Sequence, residues 1–171
     1  MSDLVIRPKS ADERFMLEVY LTANTQSKDP RTKIGAVIVK EDDIISTGYN
    51  NFPRKVLDLK SRYLDSNLKK QFVVHAEANA VHNCARKGIA CLSAKLYTQG
   101  VPCSECAKVI IQAGISEVIV HKQWPSLNDN PKWRASNDLT CLMFRESGIK
   151  LTVFDKFINT TGLMDDVLIY V

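Results

Sequence analysis

The chain has 171 residues, of which 45% are hydrophobic and 25% are charged. These proportions are typical of a globular protein and exclude disordered and fibrous classes. The 23 Lys and Arg are interleaved with 19 Asp and Glu, for a net charge of +4, so the sequence offers no basic stripe for a nucleic-acid partner. We expect a single domain over residues 1–171, with a core at about 10–155 and a C-terminal extension.

The five cysteines and the N-terminus bear on the cellular compartment. An odd number of cysteines argues against a full set of disulfides, and residues 1–7 lack the apolar core of a signal peptide. The sequence contains no run of about 18 apolar residues that would predict a membrane span. We therefore expect a cytoplasmic protein in which Cys84, Cys91 and Cys141 are small buried hydrophobic residues.

The first predicted elements are a helix and a β-hairpin. Ser10 and Glu13 form a capping-box pattern, which predicts a helix that begins here and runs to about Ala23. Two β-rich runs follow at 35–39 and 44–48, and the charged turn between them predicts an antiparallel hairpin.

A long charged insertion follows the hairpin and occupies residues 53–73. We expect it to be partly helical, and either to cover the functional site or to meet another subunit. Lys69 and Lys70, near its end, are predicted to lie on a solvated face.

The second half of the chain alternates helices and strands. Helices are predicted over 76–87, 103–113 and about 132–147, and strands over 94–98, 117–121 and 150–154. This alternation predicts parallel neighbouring strands joined by right-handed crossovers. With the hairpin it gives an α/β fold, a three-layer sandwich in which helices cover both faces of a five-stranded mixed sheet. The tail after Asp155 has no assigned structure.

Two short strings carry the candidate metal ligands, His75-Ala76-Glu77 and Pro102-Cys103-Ser104-Glu105-Cys106. Two thiolates and one imidazole fill three of the four positions that Zn²⁺ prefers, which leaves the fourth for water. Both strings open predicted helices, and a helix N-terminus lowers the pKa of a nearby thiol. The pattern therefore predicts an open zinc site, with Glu77 outside the ligand set and free to move protons.

This pair of strings resembles the signature of the zinc-dependent nucleobase deaminases, His-x-Glu followed by Pro-Cys-x-x-Cys. Zinc lowers the pKa of a bound water to about 7, so that water becomes a nucleophile at neutral pH. A carboxylate outside the ligand set can pass the proton to a ring nitrogen and to the departing amine. The two strings are common to a wide superfamily, so they do not identify the substrate.

Longer strings narrow the resemblance. They run from Ser27 to Ala36, from Gly48 to Pro53, from His75 to Ala80 and from Pro102 to Lys108. Together they resemble the deoxycytidylate (dCMP) deaminase family, and the likeness extends from Phe15 to about Phe154. The family's fold, a cytidine-deaminase-like three-layer sandwich, agrees with the sheet inferred above.

The resemblance implies which residues form the catalytic centre. His75, Cys103 and Cys106 correspond to the ligands of one zinc ion, and Glu77 corresponds to the catalytic proton shuttle.

The resemblance also implies a set of substrate contacts. Asn50 corresponds to the asparagine that binds the sugar hydroxyl, and the backbone N–H of Ala76, at a helix start, is placed to bind the base carbonyl. Ser27, Lys28 and Arg31 are candidate phosphate ligands, because they lie in a cationic loop.

The activity implied by the resemblance is hydrolytic deamination of dCMP to dUMP and ammonia, which supplies thymidylate synthesis. Family members tend to be homo-oligomers, commonly hexamers. Members regulated by deoxynucleoside triphosphates usually carry a glycine where this chain has Asn51, and their downstream segment also differs, so the resemblance leaves effector control open. The same departure leaves dCTP open as a substrate, and Mg²⁺ would accompany such a triphosphate.

Two other functions stay open from the sequence. A deaminase of transfer-RNA adenosine or of a free base shares the zinc site, but it predicts a basic, open groove that the insertion at 53–73 disfavours. A zinc-stabilised binding module is the non-enzymatic alternative, and in it Glu77 would be idle.

Overall fold

The structure is a computed structural model that describes residues 10–125 and 131–171. These residues form helices and strands in the order α1 (Ala11–Gln26), β1 (Gly35–Lys40), β2 (Asp43–Tyr49), α2 (Lys60–Leu64), α3 (Ser66–Phe72), α4 (Ala76–Lys87), β3 (Lys95–Thr98), α5 (Ser104–Gln112), β4 (Glu117–His121), α6 (Pro131–Ser147), β5 (Lys150–Phe154), β6 (Thr161–Met164) and β7 (Val167–Tyr170).

The central sheet has five strands in the order β2-β1-β3-β4-β5. Strand β1 is antiparallel to both β2 and β3, and the pairs β3–β4 and β4–β5 are parallel. The predicted five-stranded mixed sheet is thereby confirmed. Strands β3 and β4 are parallel, and α5 and α6 are the helices that follow them in the chain, so both helices begin at the same edge of the sheet.

Hydrophobic side chains of the sheet alternate between two cores. Ala36 and Ile38 of β1 pack with α4, α5 and α6 on one face, whereas Val37 and Val39 pack with α1 on the other. This period of two is what a strand buried on both faces requires. The predicted three-layer arrangement is confirmed, with α4 and α5 in contact on one side of the sheet.

Gly48 allows α4 to lie unusually close to β2. A Cβ atom at this position would come within 2.2 Å of the Ala76 carbonyl oxygen and 2.3 Å of the Ala80 nitrogen. Any side chain here would therefore displace the first turn of α4. The contact fixes the start of α4, which follows His75, against the end of β2.

The predicted start of α1 is confirmed and its end lies further along the chain. The Ser10 backbone N–H donates to Glu13 Oε2 at 2.6 Å, and the Glu13 N–H donates to Ser10 Oγ at 3.3 Å. The helix continues past Ala23 to Gln26, because no Gly or Pro interrupts it before Ser27 adopts an extended conformation.

The cysteine prediction is confirmed at two positions and wrong at one. Cys84 and Cys91 are buried, but Cys141 is exposed. Cys141 follows the buried Thr140 on α6, and Phe144, one turn after Thr140, is buried as well. Because adjacent residues on a helix point about 100° apart, the face that buries Thr140 and Phe144 leaves Cys141 outside.

The tail that had no assigned structure forms a hairpin, β6 and β7, around a turn at Asp165 and Asp166. The Asp166 N–H donates to the Arg31 carbonyl at 2.9 Å, and the Lys33 N–H donates to the Leu163 carbonyl at 2.9 Å. The hairpin is thus bonded to the loop that joins α1 to β1. Among the described residues, no helix is both long enough and apolar enough to cross a membrane.

Candidate active site

His75 and Cys103 each occupy the N-cap position of a helix, α4 and α5 respectively. Both residues have an extended backbone, and neither side chain makes the hydrogen bond by which an N-cap normally satisfies the first turn. Their side chains are therefore available to a ligand. Cys106 lies one turn after Cys103 on α5, so the two thiols share a face.

The three predicted ligands converge. Sγ of Cys103 lies 3.3 Å from Nδ1 of His75, and Sγ of Cys106 lies 3.6 Å from the same nitrogen. All three ligand atoms lie within 4.8 Å of one another. Zinc–sulfur and zinc–nitrogen bonds in a tetrahedral site place such atoms about 3.6 Å apart. The spacing and chemistry of the three donors therefore fit a zinc ion.

Electrostatics within this cluster favours a thiolate. Hydrogen bonds from Cys106 and then from His75 lower the pKa of Cys103 to about 4. The hydrogen bond to Cys103 raises the pKa of His75 to about 9, and the hydrogen bond to the same sulfur raises the pKa of Cys106. One sulfur is thus anionic at neutral pH, and a metal ion that displaced the remaining protons would gain the second thiolate and the imidazole.

Glu77 lies beside this cluster, but the cluster of candidate ligands does not include it. Its Oε2 accepts a hydrogen bond from the Cys106 thiol at 3.6 Å, and the residue is 6% exposed. Burial raises the pKa of the Glu77 carboxyl, because charge is poorly solvated there. A buried carboxyl group beside the candidate metal ligands is in a position to accept a proton and release it again.

Helix α6 stabilises the segment that carries the two cysteines. Ser136 Oγ accepts a hydrogen bond from the Ser104 N–H at 3.0 Å, and Thr140 Oγ1 donates to the Pro102 carbonyl at 2.8 Å. These hydroxyls satisfy backbone groups on both sides of Cys103. Sequence reasoning missed them, because a Ser and a Thr inside a helix carry no signal of what they contact.

The residues before α4 are fixed by pairing with the end of β2. Asn51 and Val74 form an isolated antiparallel bridge with bonds of 3.2 and 2.9 Å. Asn79 adds a bond from its side-chain amide to the Tyr49 carbonyl at 2.8 Å. The end of β2 and the start of α4 therefore form one unit beside His75.

Asn50, the predicted sugar ligand, is buried and organises the loop at 27–34. Its Oδ1 accepts from Ser27 Oγ at 2.7 Å and from the Ile34 N–H at 2.9 Å. Its Nδ2 donates to the Thr32 carbonyl at 2.8 Å and to Asp29 Oδ2 at 3.3 Å. Ser27, a predicted phosphate candidate, is also buried and spends its hydroxyl on Asn50.

The prediction that Lys69 lies on a solvated face is wrong. Lys69 Nζ is 2.5 Å from Asp29 Oδ2, and the two side chains are 20% and 0% exposed. A buried carboxylate needs a counter-charge, and Lys69 supplies it. Lys70 is exposed, as predicted. Neither the spacing of Asp29 nor any periodic pattern in the sequence predicts this ion pair.

The other two predicted phosphate candidates face outward and are paired. Lys28 Nζ lies 2.5 Å from Asp58 Oδ2, and its side chain is 58% exposed. Arg31 Nε lies 3.0 Å from Asp166 Oδ2 in the C-terminal hairpin, and its side chain is 38% exposed. The loop is thus connected by ion pairs to the insertion and to the C-terminus.

The insertion at 53–73 is partly helical, as predicted, through α2 and α3. It packs against the end of β2 through Tyr63, whose ring stacks on Phe52 with centroids 4.1 Å apart. The Tyr63 hydroxyl donates to Asn51 Oδ1 at 2.6 Å. His82, on α4, is exposed and is not part of the metal cluster.

A His-Cys-Cys zinc site with an adjacent carboxylate, on this sheet, is the arrangement of the zinc-dependent deaminases. Residues 9–122 match the family described as the cytidine and deoxycytidylate deaminase zinc-binding region. Because this match spans more than half of the sequence, the chain belongs to that family.

Several curated relatives are similar over most of the chain. Deoxycytidylate deaminase of Homo sapiens is 38% identical over 154 residues, which is 85% of this chain and 79% of the human protein. A probable deoxycytidylate deaminase of Drosophila melanogaster is 41% identical over 136 residues, which is 73% of this chain and 64% of the fly protein. The chain thus spans slightly less than two thirds of the fly protein.

Solved structures share the fold. The dCMP deaminase of cyanophage S-TIM5, in complex with dCMP and dUMP, superposes with a TM-score of 0.67 at 23% identity and covers 87% of this chain and all of its own. A bifunctional deaminase/reductase of Thermotoga maritima, whose deaminase acts on a diaminohydroxyphosphoribosylaminopyrimidine, gives a TM-score of 0.59 at 23% identity. It covers 84% of this chain and 36% of its own.

Proposed function

We propose that this chain catalyses the hydrolytic deamination of dCMP to dUMP and ammonia, and so supplies the precursor of thymidylate. The observation that carries the proposal is the convergence of His75 Nδ1 and the sulfurs of Cys103 and Cys106 beside the buried Glu77. Relatives named deoxycytidylate deaminase, at 38% to 41% identity, support the choice of substrate.

The reaction exchanges the amino group on carbon 4 of cytosine for oxygen. A carbon–oxygen bond forms with water, the carbon–nitrogen bond breaks, and ammonia leaves. His75, Cys103 and Cys106 would hold a zinc ion, which would lower the pKa of a bound water to about 7. Glu77 takes one proton from the water at its carboxylate and delivers it to ring nitrogen 3. It then takes the second proton from the new hydroxyl on carbon 4 and delivers it to the departing amine, which leaves the carbon 4 oxygen as a carbonyl and Glu77 ionised again. Its raised pKa suits this transfer.

The substrate contacts are part of the same proposal. Ala76 is the first residue of α4, and an N–H at that position has no acceptor within its own helix, so it can bind the carbonyl of the base. Asn50 would bind the sugar hydroxyl by exchanging one of its bonds within the loop. Ser27, Lys28 and Arg31 would bind the phosphate at the same loop.

We also propose a cytoplasmic location and assembly into a homo-oligomer, as one deaminase domain. A reducing compartment keeps Cys103 and Cys106 available as thiolates. Large exposed side chains such as Leu57 and Leu64, 65% and 56% exposed, support a contact with another subunit. Light scattering coupled to gel filtration tests the assembly.

A substrate panel tests the proposed reaction. Zinc-loaded protein is incubated with deoxycytidine, CMP, dCMP, dCTP with Mg²⁺, and a cytosine-containing oligonucleotide, and ammonia release is measured. We expect dCMP to have the highest kcat/KM. A preference for dCTP would support the triphosphate alternative, and a preference for the oligonucleotide would contradict a nucleotide deaminase.

Glu77→Gln tests the mechanism. We expect kcat to fall by about 100- to 10,000-fold, the usual contribution of a general acid–base group, while zinc content and the melting temperature stay close to the wild type. Glu105→Gln is the matched control, because Glu105 occupies the corresponding position of α5, is exposed, and pairs only with Lys108 among the described contacts. Full turnover in Glu77→Gln would mean that Glu77 is idle.

A further inference from the structure

We propose that Lys69, in the insertion, binds the 5′-phosphate of the substrate and gives the site its preference for nucleotides over nucleosides. The inference rests on the proposed function and adds a substrate ligand that lies outside the loop at 27–34. The insertion at 53–73 would then form part of the substrate-binding site.

The position of Lys69 follows from the backbone that leads to the metal site. Lys69 lies in the last turn of α3, and its carbonyl accepts from the Val73 N–H at 2.9 Å. The next residue, Val74, is bridged to Asn51 at the end of β2. His75 follows directly. The last turn of α3 is therefore fixed between the end of β2 and the first zinc ligand.

The side chain of Lys69 turns toward the loop, where the sugar is proposed to bind. Its ammonium contacts Asp29 Oδ2, and the same oxygen accepts from Asn50 Nδ2 at 3.3 Å. One carboxylate oxygen thus lies between the ammonium and the proposed sugar ligand. In a nucleotide the phosphate is attached to the sugar. With the base at Glu77 and the sugar at Asn50, the phosphate lies beyond Asn50, beside Lys69.

Exposure distinguishes Lys69 from the other cations nearby. Its side chain is 20% exposed, compared with 58% for Lys28 and 38% for Arg31. A partly desolvated cation attracts a phosphate more strongly than a solvated one, because screening by water is weaker.

The ammonium group of Lys69 can bind Asp29 and the substrate phosphate at the same time. A lysine ammonium has three N–H donors, and Asp29 accepts one of them. Asp29 is in turn bonded by the Arg31 and Thr32 backbone N–H groups, at 3.0 and 3.2 Å, which fix it in place. The ammonium is thereby positioned before substrate arrives, which reduces the entropy lost on binding.

The test is Lys69→Gln, compared with Lys70→Gln as the matched control on the exposed side of the same helix. We measure kcat/KM for dCMP and for deoxycytidine on zinc-loaded protein. Loss of the charge-assisted bond to the phosphate should lower the ratio of kcat/KM for dCMP to kcat/KM for deoxycytidine by about 10- to 100-fold. Any effect of removing the counter-charge of Asp29 acts on both substrates and cancels in this ratio. Lys70→Gln should change neither value.

Binding of the product gives a readout that does not need turnover. Calorimetry should show that Lys69→Gln weakens the binding of dUMP relative to that of deoxyuridine by the same factor. If Lys69→Gln fails to fold, Lys69→Arg replaces it; we then expect the dCMP preference to persist, because the charge is kept.

A structural role predicts a different pattern. If Lys69 only neutralises Asp29, Lys69→Gln should reduce dCMP and deoxycytidine turnover equally and Asp29→Asn should restore both, which would overturn the inference. Unchanged discrimination in Lys69→Gln, or lost discrimination in a folded Lys69→Arg, would overturn it too. A wild-type protein that deaminates neither compound but binds dUMP through Lys69 would refute the proposed reaction alone.

Discussion

Two glutamates occupy the same position in two helices and have opposite surroundings. Glu77 and Glu105 are each the second residue of a helix whose N-cap is a candidate zinc ligand. Glu77 is buried and its pKa is raised, whereas Glu105 is exposed and bonded to Lys108 at 2.6 Å. Because the two glutamates occupy the same position in their helices, the chemical difference between them comes from burial.

His121 is a buried histidine that should make stability depend on pH. Its Nε2–H donates to the Lys156 carbonyl at 2.8 Å, so Nδ1 accepts from the Tyr20 hydroxyl at 2.9 Å and the ring is neutral. Burial lowers the pKa of His121 below its ordinary value of 6.5. Below pH 6.5 the unfolded chain binds a proton that the folded chain does not, so stability should fall as pH decreases.

Urea unfolding between pH 7.5 and 5.5 measures this effect, and these values are about one unit on either side of the ordinary histidine pKa. The wild type should lose at most about 1.4 kcal/mol per pH unit through this group. His121→Gln should lose less over the same interval, although it is less stable at neutral pH. His82→Gln, at an exposed histidine, is the control and should follow the wild type. Identical pH profiles for all three proteins would contradict a neutral buried His121.

At the scale of elements, the site depends on how closely α4 approaches β2. Gly48→Ala places a Cβ atom within 2.2 Å of the Ala76 carbonyl oxygen, so α4 must move. We expect a loss of about 1–3 kcal/mol in stability from overpacking. Turnover should fall more than about tenfold, because small displacements of catalytic groups are costly. Thermal unfolding and kcat measure the two effects.

Gly88→Ala is the control at the opposite end of α4. Gly88 has a positive φ of 68°, and an added Cβ would meet open space. It should therefore cost about 1 kcal/mol through backbone strain and leave turnover unchanged. If Gly48→Ala behaved like Gly88→Ala, the close packing of α4 on β2 would not be what positions His75 and Glu77.

Elements with a local signal could be predicted from the sequence, and pairings between distant segments could not. The helix starts at His75 and Cys103 follow from ligand spacing, and the sheet follows from the alternation of strands and helices. The Lys69–Asp29 pair and the contacts of Ser136 depend on which elements meet in space. Sequence pattern describes each element separately, so it contains no information on these contacts.

The C-terminal hairpin was missed for a related reason. Its turn, Asp165-Asp166, adopts positive φ values of 47° and 67° without the glycine that usually announces such a turn. The hairpin is stabilised by long-range contacts, among them the Arg31–Asp166 ion pair and the bond from Asn24 Nδ2 to the Thr161 carbonyl at 2.8 Å. Its two strands are too short to be stable alone.

Across the whole molecule, the site is assembled from segments far apart in the chain. The loop at 27–34 is bonded to the insertion through Asp29 and to the C-terminal hairpin through Arg31. It is also bonded to Gln99, the residue after β3, whose Nε2 donates to the Lys33 carbonyl at 3.1 Å. The metal ligands come from the starts of α4 and α5. Zinc affinity should therefore report on the integrity of the entire fold.

Metal content is the most direct test of a three-ligand zinc site. We expect about one zinc per chain in the purified wild type and in Cys141→Ser, whose thiol is exposed and is not among the three candidate ligands. Cys106→Ser should bind zinc more than about 100-fold more weakly, since even loss of an outer partner costs about 10- to 100-fold. A wild type without zinc, or a Cys106→Ser protein that keeps full affinity, would contradict the site.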